Sequence, residues 1–161
     1  MHIWLVRHAI AAERDEFDGP DAERPLTDKG RKRFRKFCDR LADQTRLPAS
    51  VISSPLLRAA ETAEIFAKSA GLKKSDIVFT ELLAPGAQAR PLLRLLRDQP
   101  ASSVALVGHE PDMSRCLTDL IGGGKFDFGK GHIAALEFDG VLSVGKGRLC
   151  WFLGPKIPDK K

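Results

Sequence analysis

Two arginines and two histidines of this 161-residue chain lie at the ends of short apolar segments. Arg7 and His8 follow the first segment, Arg58 comes shortly after the second, and His109 follows a later one. A guanidinium group is a planar set of N–H donors that can bind two phosphoryl oxygens at once. An imidazole among cations keeps its neutral form, because nearby positive charge disfavours protonation, and neutral imidazole is a nucleophile. These residue types in this pattern indicate phosphoryl-group chemistry.

The apolar segments are typical of buried β-strands that alternate with amphipathic helices. Strands are predicted at His2–Val6, Val51–Ser53, Ile77–Thr80, Val104–Val107, Ile133–Phe138 and Arg148–Leu153. The last two need not be parallel to the others, because Asp139-Gly140 between them is a turn signal. The alternation predicts an α/β fold, a three-layer α/β/α sandwich with a mostly parallel central sheet.

Helices are predicted between these strands. The first begins after Thr27, a good N-cap residue. Its buried face comprises Phe34, Phe37, Cys38 and Leu41. Ser54-Pro55 predicts the start of the second helix, as a cap and a first helical position. Pro111 opens another, and a further helix is predicted over Arg90–Arg97. The polar segment from Ala11 to Pro25 is predicted to be a long surface loop.

The strand ends explain why the four polar residues belong together. In open α/β sheets, ligands bind beyond the carboxyl ends of the parallel strands. Helix N-termini at that edge add free amide groups and a dipole that favour anions. Arg7, His8, Arg58 and His109 are therefore predicted to converge on one tetrahedral oxyanion, although a single Arg-His pair would be interpreted as a surface feature.

The composition is that of one globular domain over residues 1–161, with residues 155–161 as a polar tail. A chain of this length with 43% hydrophobic residues can bury a sizeable core. No apolar stretch approaches the roughly 18–20 residues that cross a membrane, and no basic segment precedes the apolar N-terminus as in a signal peptide. Three scattered cysteines indicate a reduced, cytoplasmic location.

The net charge of +5 bears on the choice of partner. The densest basic cluster, residues 29–36, lies on the first predicted helix and is interpreted as a solvated outer face. Tyrosine is absent and the aromatic residues lie in apolar segments, so no surface for stacking bases is evident. We expect an anionic, phosphorylated substrate, and neither nucleic acid nor a membrane as partner.

A metal site is the first alternative. His8, His109 and Glu110 could be neighbours, but a metal-binding HExxH pattern would need histidine where the chain has Met113. No cysteine lies near these motifs. Neither a metal nor an organic cofactor is expected.

Other chemically capable residues receive structural interpretations. Segment 124–131 nearly matches a phosphate-binding loop, but it lacks the closing Ser or Thr and precedes a strand. It is interpreted as a turn, from which Lys130 could reach toward the phosphate site. His2 and His132 are expected to be structural or solvent-facing. The three cysteines lie in apolar contexts and are predicted to be small core residues: Cys38, Cys116 and Cys150.

Four motifs follow one another along the chain. They are Arg7-His8-Ala9, Arg24-Pro25-Leu26-Thr27-x-x-Gly30, Ser54-Pro55-Leu56-x-Arg58-Ala59-x-x-Thr62 and Gly108-His109-Glu110-Pro111. Together they resemble the histidine phosphatase superfamily, whose fold is called phosphoglycerate mutase-like. The short chain and the Arg24-Pro25-Leu26-Thr27 form are similar to its SixA-type phosphohistidine phosphatases. The resemblance extends from Ile3 to about Leu153.

The resemblance implies roles for individual residues. His8 would be the nucleophile that becomes phosphorylated and is then freed by water. Arg7, Arg58 and His109 would form the rest of the phosphate pocket. Arg24 would add a phosphate or substrate contact, unless it is an ordinary residue of a charged loop.

The resemblance leaves the acid and the substrate open. Glu81 stands after the third strand, where many members carry the acid that protonates the leaving group. It is a candidate for that acid, for a substrate contact, or for an ordinary strand-end charge. The implied substrate is a phosphohistidine-containing protein or a small phosphomonoester. A phosphate-binding module without turnover is the alternative from another class, and a mutase would need insertions for which 161 residues leave little room.

Overall fold

A six-stranded sheet forms the middle layer of the protein. The computed structural model describes residues 1–155, so the predicted polar tail lies outside the described residues except for its first position. The strands are β1 (His2–Arg7), β2 (Ser50–Ser53), β3 (Ile77–Phe79), β4 (Ser103–Gly108), β5 (Ile133–Glu137) and β6 (Arg148–Leu153). Each lies within one residue of its predicted bounds at either end.

The sheet has the order β3-β2-β4-β1-β5-β6. β2 runs parallel to both of its neighbours, β3 and β4, and β4 runs parallel to β1. β5 is antiparallel to β1 and to β6. The mostly parallel sheet is confirmed. Of the last two strands, which the sequence does not require to be parallel to the others, β5 is antiparallel to them, whereas β6, antiparallel to β5, runs in the direction of β1.

Helices cover both faces of the sheet. They are α1 (Asp28–Ala42), α2 (Leu57–Ser69), α3 (Ala89–Arg97) and α4 (Asp112–Ile121). Because successive strand residues point to opposite faces, Trp4 and Val6 pack in the core beneath α1 and α2. Ile3 and Leu5 belong to the second core, beneath α3 and α4. The three-layer α/β/α architecture is thereby confirmed.

One predicted helix boundary is wrong. Ser54-Pro55 does not begin α2, which starts at Leu57 with Leu56 in the cap position. The Ser54 hydroxyl accepts the Leu56 N–H at 3.3 Å and forms a turn before the helix. By contrast, Thr27 caps α1 as predicted, since its hydroxyl accepts the Gly30 N–H at 3.0 Å.

Gly30 explains how α1 can lie against the segment after β1. A Cβ atom at this position would stand 2.1 Å from the carbonyl oxygen of Ile10. That carbonyl also accepts the Thr27 N–H at 2.9 Å. The first turn of α1 therefore rests directly on the backbone two residues beyond His8, an approach that only glycine permits.

The segment from Ala11 to Pro25 is tied at both ends. Ala11 and Leu26 form an isolated β-bridge, and the Ala12 N–H donates to the Pro25 carbonyl at 2.9 Å. A short 3-10 turn, Asp21–Glu23, lies inside it. The predicted loop therefore has its two ends held together, and it contains a 3-10 turn near its second end.

The cysteine prediction is partly wrong. Cys38 and Cys116 are buried as predicted, but Cys150 is exposed. It lies on β6, the last strand of the sheet order, and within residues 1–155 no further strand covers that edge. Among residues 1–155, no helix is long and apolar enough to cross a membrane.

Candidate active site

Register across the two central strands places His8 beside His109. Arg7 of β1 pairs with Gly108 of β4, and the His8 N–H donates to the Gly108 carbonyl at 3.0 Å. The centroids of the two imidazole rings are 5.3 Å apart. Both residues are buried, with 7% of His8 and 3% of His109 exposed. Two strand ends thus deliver both rings to one point.

The hydrogen bonding of His8 fixes its tautomer. Its Nδ1 lies 2.8 Å from the Ala9 carbonyl oxygen, which can only accept, so Nδ1 carries the hydrogen and Nε2 keeps its lone pair. Burial lowers the pKa of His8 to about 3, and the neighbouring His109, Arg58 and Arg7 act in the same direction. His8 is therefore neutral near pH 7, and Nε2 is a nucleophilic atom.

His109 is held by the serine that precedes α2. Its Nε2 lies 2.8 Å from the Ser54 hydroxyl, while its Nδ1 is buried without a hydrogen-bond partner. Burial lowers the pKa of His109 to about 4; Arg58 adds to this effect and Asp112 opposes it. When Ser54 donates to Nε2, Nδ1 carries the hydrogen and is a free donor beside His8.

Each of the two arginines is anchored at its tip. Arg7 donates from Nη1 to the Phe128 carbonyl at 2.5 Å. Arg58 donates from Nη1 to the Asp21 carbonyl at 2.8 Å and from Nη2 to Asp21 Oδ2 at 3.0 Å. Both Nε atoms are buried and have no partner. Burial lowers the pKa of each guanidinium group from its ordinary value, which nearby carboxylates oppose.

The unpartnered atoms identify what this arrangement fits. Over residues 1–155, four buried side-chain polar atoms lack a hydrogen-bond partner, and three belong to Arg7, Arg58 and His109. Buried polar groups without partners are rare and costly. An anion with several acceptor oxygens, held between these residues, would satisfy all three donors. The site therefore fits a phosphoryl group.

Arg24 lies next to this set. Its Nε donates to Asp21 Oδ1 at 3.1 Å and its Nη1 to the Ala12 carbonyl at 2.7 Å. Asp21 thereby joins Arg24 to Arg58. The structure places Arg24 at the edge of the candidate pocket, with 16% of its side chain exposed.

Comparison with known proteins agrees with this geometry. A family model described as histidine phosphatase superfamily (branch 1) matches residues 3–84. An uncharacterized protein of Picosynechococcus sp. is 34% identical over 150 residues, which cover 91% of this chain and 86% of the relative. The chain belongs to the histidine phosphatase superfamily.

Within the superfamily, the chain is similar to SixA proteins. Phosphohistidine phosphatase SixA of Escherichia coli K12 is 28% identical over 159 residues, covering 96% of this chain and 94% of SixA. A SixA structure complexed with tungstate matches with a TM-score of 0.84 and 26% identity, over 96% of this chain and 97% of the other. A putative SixA of Agrobacterium tumefaciens matches with a TM-score of 0.77, 27% identity and the same coverage. The protein is a phosphatase of this superfamily with the phosphoglycerate mutase-like fold.

Glu81 is not joined to the four central residues of this phosphatase. It begins the 3-10 turn Glu81–Leu83 directly after β3 and is exposed. Over the described part of the chain, no hydrogen bond or ion pair connects its carboxylate to His8, His109, Arg7 or Arg58. Its role as an acid stays a prediction.

Several contacts that organise the site were missed from the sequence. Thr62 accepts the Ala9 N–H at 3.0 Å and donates to the Arg58 carbonyl at 2.6 Å, which links the His8 segment to α2. Asp112, 5% exposed, accepts the Gly86 N–H at 2.7 Å beside His109. Thr62 ends the third sequence motif but has no role predicted there, and its spacing, four residues after Arg58 on one helix, is the signal that could have indicated the contact.

The other residues singled out in the sequence, Lys130 and His132, have structural contacts of their own. Lys130 pairs with Glu13 at 3.1 Å, and both side chains are partly exposed. The ring of His132 packs against Phe152 and its carbonyl accepts the Arg7 N–H, so its observed role is structural. Within residues 1–155, no three His, Cys, Asp or Glu side chains are grouped to hold a metal ion.

Proposed function

We propose that this phosphatase hydrolyses phosphohistidine in a partner protein through a covalent phosphohistidine formed on His8. The observation that carries the proposal is that His8 keeps the lone pair of Nε2, and that its neighbours Arg7, Arg58 and His109 each have one buried side-chain nitrogen without a partner. One nucleophile and three donors are the parts that in-line phosphoryl transfer needs.

The reaction takes two displacements. His8 Nε2 attacks phosphorus, the bond from phosphorus to the substrate nitrogen breaks, and the released imidazole takes a proton from water. Arg7, Arg58 and His109 bind the equatorial oxygens as their charge develops. A water molecule then attacks phosphorus, the bond to Nε2 breaks, and inorganic phosphate leaves with His8 restored.

The leaving group favours phosphohistidine over an alkyl phosphate. Imidazole departs with less help from an acid than an alkoxide does, and the candidate acid Glu81 is exposed and separate from the four central groups. The short chain, with few insertions, also favours an open site suited to a macromolecule. A relative from Escherichia coli, SixA, is named a phosphohistidine phosphatase.

Labelling tests the intermediate. The protein is incubated with a phosphoryl donor carrying radioactive phosphorus and quenched in alkali, which preserves phosphohistidine. We expect label on His8, none in His8→Asn, and full labelling in His2→Gln, whose histidine lies exposed at the start of β1. Absence of label from the unsubstituted protein would refute the covalent mechanism.

A comparison of substrates tests the specificity. We expect a phosphorylated histidine phosphotransfer domain to be turned over with a much higher kcat/KM than sugar phosphates or para-nitrophenyl phosphate. The reverse order would make the protein a general phosphomonoesterase. Binding of phosphate without any turnover would make it a phosphate-recognition module.

A further inference from the structure

The Asp21 carboxylate lies between two guanidinium groups at the edge of the pocket. We infer that Asp21 is a positioning residue for phosphoryl transfer, which holds the tip of Arg58 so that its remaining donors face the phosphoryl group. The inference rests on the proposed function of this site. Asp21 has no role predicted from the sequence, and it stands outside the motif that begins at Arg24.

Asp21 holds Arg58 with two atoms of different kinds. Its backbone carbonyl accepts from Arg58 Nη1 at 2.8 Å, and its side-chain Oδ2 accepts from Nη2 at 3.0 Å. The other side-chain oxygen, Oδ1, accepts from Arg24 Nε at 3.1 Å. One residue thereby fixes the distance between the two cationic side chains. The Arg58 side chain is 5% exposed, whereas that of Asp21 is 44% exposed.

The donors that remain on Arg58 support a positioning role. A guanidinium group has five N–H donors in a rigid plane. Asp21 takes one from each terminal nitrogen, and Nε–H, on the side of the plane, has no partner. Arg7 shows the same division, since Nη1 is anchored on the Phe128 carbonyl while Nε is free. Both anchors hold the tip and leave Nε for an anion.

The two anchors differ in one respect that makes the inference testable. Arg7 is held by a backbone carbonyl, which no substitution of a side chain removes. Arg58 is held partly by the Asp21 carboxylate, which can be neutralised while the backbone bond stays. Arg24 also repels Arg58, and the carboxylate between them offsets this repulsion.

Asp21 stays ionised in this place. Burial favours its neutral form, but Arg58 and Arg24 together hold the pKa of the carboxyl group below its ordinary value. Charge-assisted hydrogen bonds of this kind are shorter and stronger than neutral ones. The orientation of Arg58 therefore depends on a charge carried by the Ala11–Pro25 loop.

Neutralising that charge is the decisive experiment. Asp21→Asn keeps the backbone carbonyl, and Glu23→Gln removes an exposed carboxylate from the same 3-10 turn, two residues away, as the matched control. We expect Asp21→Asn to lower both kcat/KM and the affinity for tungstate about tenfold. Glu23→Gln should leave both quantities within about twofold of the starting values.

A double-mutant cycle separates positioning from a general effect on the loop. In an Arg58→Gln background the Asp21 carboxylate has no Arg58 to hold and keeps only its contact with Arg24. Adding Asp21→Asn should then cause a much smaller loss of tungstate affinity than it does when Arg58 is present, measured by calorimetry. The inference would be overturned if the loss of tungstate affinity in the double variant equalled the product of the fold losses in the two single variants. Unchanged or tighter tungstate binding by Asp21→Asn alone would also overturn it, because Asp21 would then be a bystander or a competitor of the anion.

The readouts distinguish this inference from the proposed function. Tungstate binding needs no turnover, so the cycle judges Asp21 even if His8 never becomes labelled. Conversely, label on His8 together with wild-type tungstate binding by Asp21→Asn would keep the proposed function and reject the role of Asp21. Melting temperatures of all variants, compared with Glu23→Gln, identify any loss caused by unfolding.

Discussion

The His8 and His109 rings lie 5.3 Å apart because each residue follows one member of the in-register pair formed by Arg7 and Gly108. Two strands that are neighbours in the sheet therefore set the distance between the two imidazole rings. The same burial that excludes water from the rings lowers the pKa of His8 to about 3 and that of His109 to about 4. Strand register thus sets the geometry of the two rings, and burial sets their protonation state.

These pKa values predict how stability changes with pH. The pKa values of both histidines in the folded protein lie below the ordinary value of 6.5. At a pH between the folded and the ordinary value, each histidine binds a proton in the unfolded chain but not in the folded chain. The contribution of each neutral ring to the free energy of unfolding is complete above pH 6.5. It falls as the pH decreases toward about 4 for His109 and about 3 for His8. Urea denaturation at a series of pH values measures this slope. His8→Asn should flatten it, whereas His2→Gln should not; equal slopes for all three proteins would contradict the prediction.

Ser53 and Ser54 are adjacent buried serines, and they form a matched pair for substitution. The Ser54 hydroxyl contacts His109 Nε2 at 2.8 Å, whereas the Ser53 hydroxyl donates to the Ser54 carbonyl at 2.9 Å. We expect Ser54→Ala to lower kcat/KM about tenfold, because the ring loses the bond that orients it. Ser53→Ala should lose comparable stability with little change in kcat/KM. Equal effects of the two substitutions on kcat/KM would show that the serine does not orient the ring.

Glu81→Gln separates the substrates by their leaving groups. If Glu81 donates a proton to an alkoxide, the substitution lowers kcat/KM for phosphomonoesters by about 100-fold or more. Turnover of phosphohistidine should change little, since its leaving imidazole depends less on an acid. Steady-state assays of both substrates test this, with Glu23→Gln as the control carboxylate. A large and equal loss for both substrates would contradict the expected independence of phosphohistidine.

Gly30→Ala tests the contact between α1 and the segment after His8. The added Cβ would meet the Ile10 carbonyl oxygen at 2.1 Å, so the backbone must move. We expect a loss of roughly 3 kcal/mol in the free energy of unfolding. Gly71→Ala is the control, because its Cβ would meet no atom within 4 Å and only its φ of +75° is unfavourable; it should cost roughly 1–2 kcal/mol. A smaller loss for Gly30→Ala than for Gly71→Ala would mean that the contact is easily relieved.

Strand periodicity and strand ends were enough to predict the sheet and the meeting of His8 with His109. These features depend on local patterns, because His8 and His109 directly follow parallel strands, whose carboxyl ends form the ligand edge of such a sheet. Asp21 could not be found in this way, since its contacts with Arg58 join a loop to a helix 37 residues away in the chain. Tertiary contacts of that kind leave no periodic signal.

The two wrong predictions have local causes. Ser54-Pro55 has the composition of a helix start, but the Ser54 hydroxyl bonds the Leu56 N–H and His109, so the helix begins later. Cys150 lies in an apolar segment, but that segment is an edge strand with one side chain in two facing outward. Secondary-structure propensity describes the conformations that a residue prefers. It cannot show which group in the folded protein will form a hydrogen bond with its side chain.

The candidate pocket combines β1, the start of α2 and the end of β4, which are far apart along the chain and adjacent in space. No fragment that lacks either half of the sheet could assemble it. After denaturation, catalysis should therefore recover only in molecules in which both halves of the sheet have assembled. A turnover assay is thus a sensitive measure of refolding.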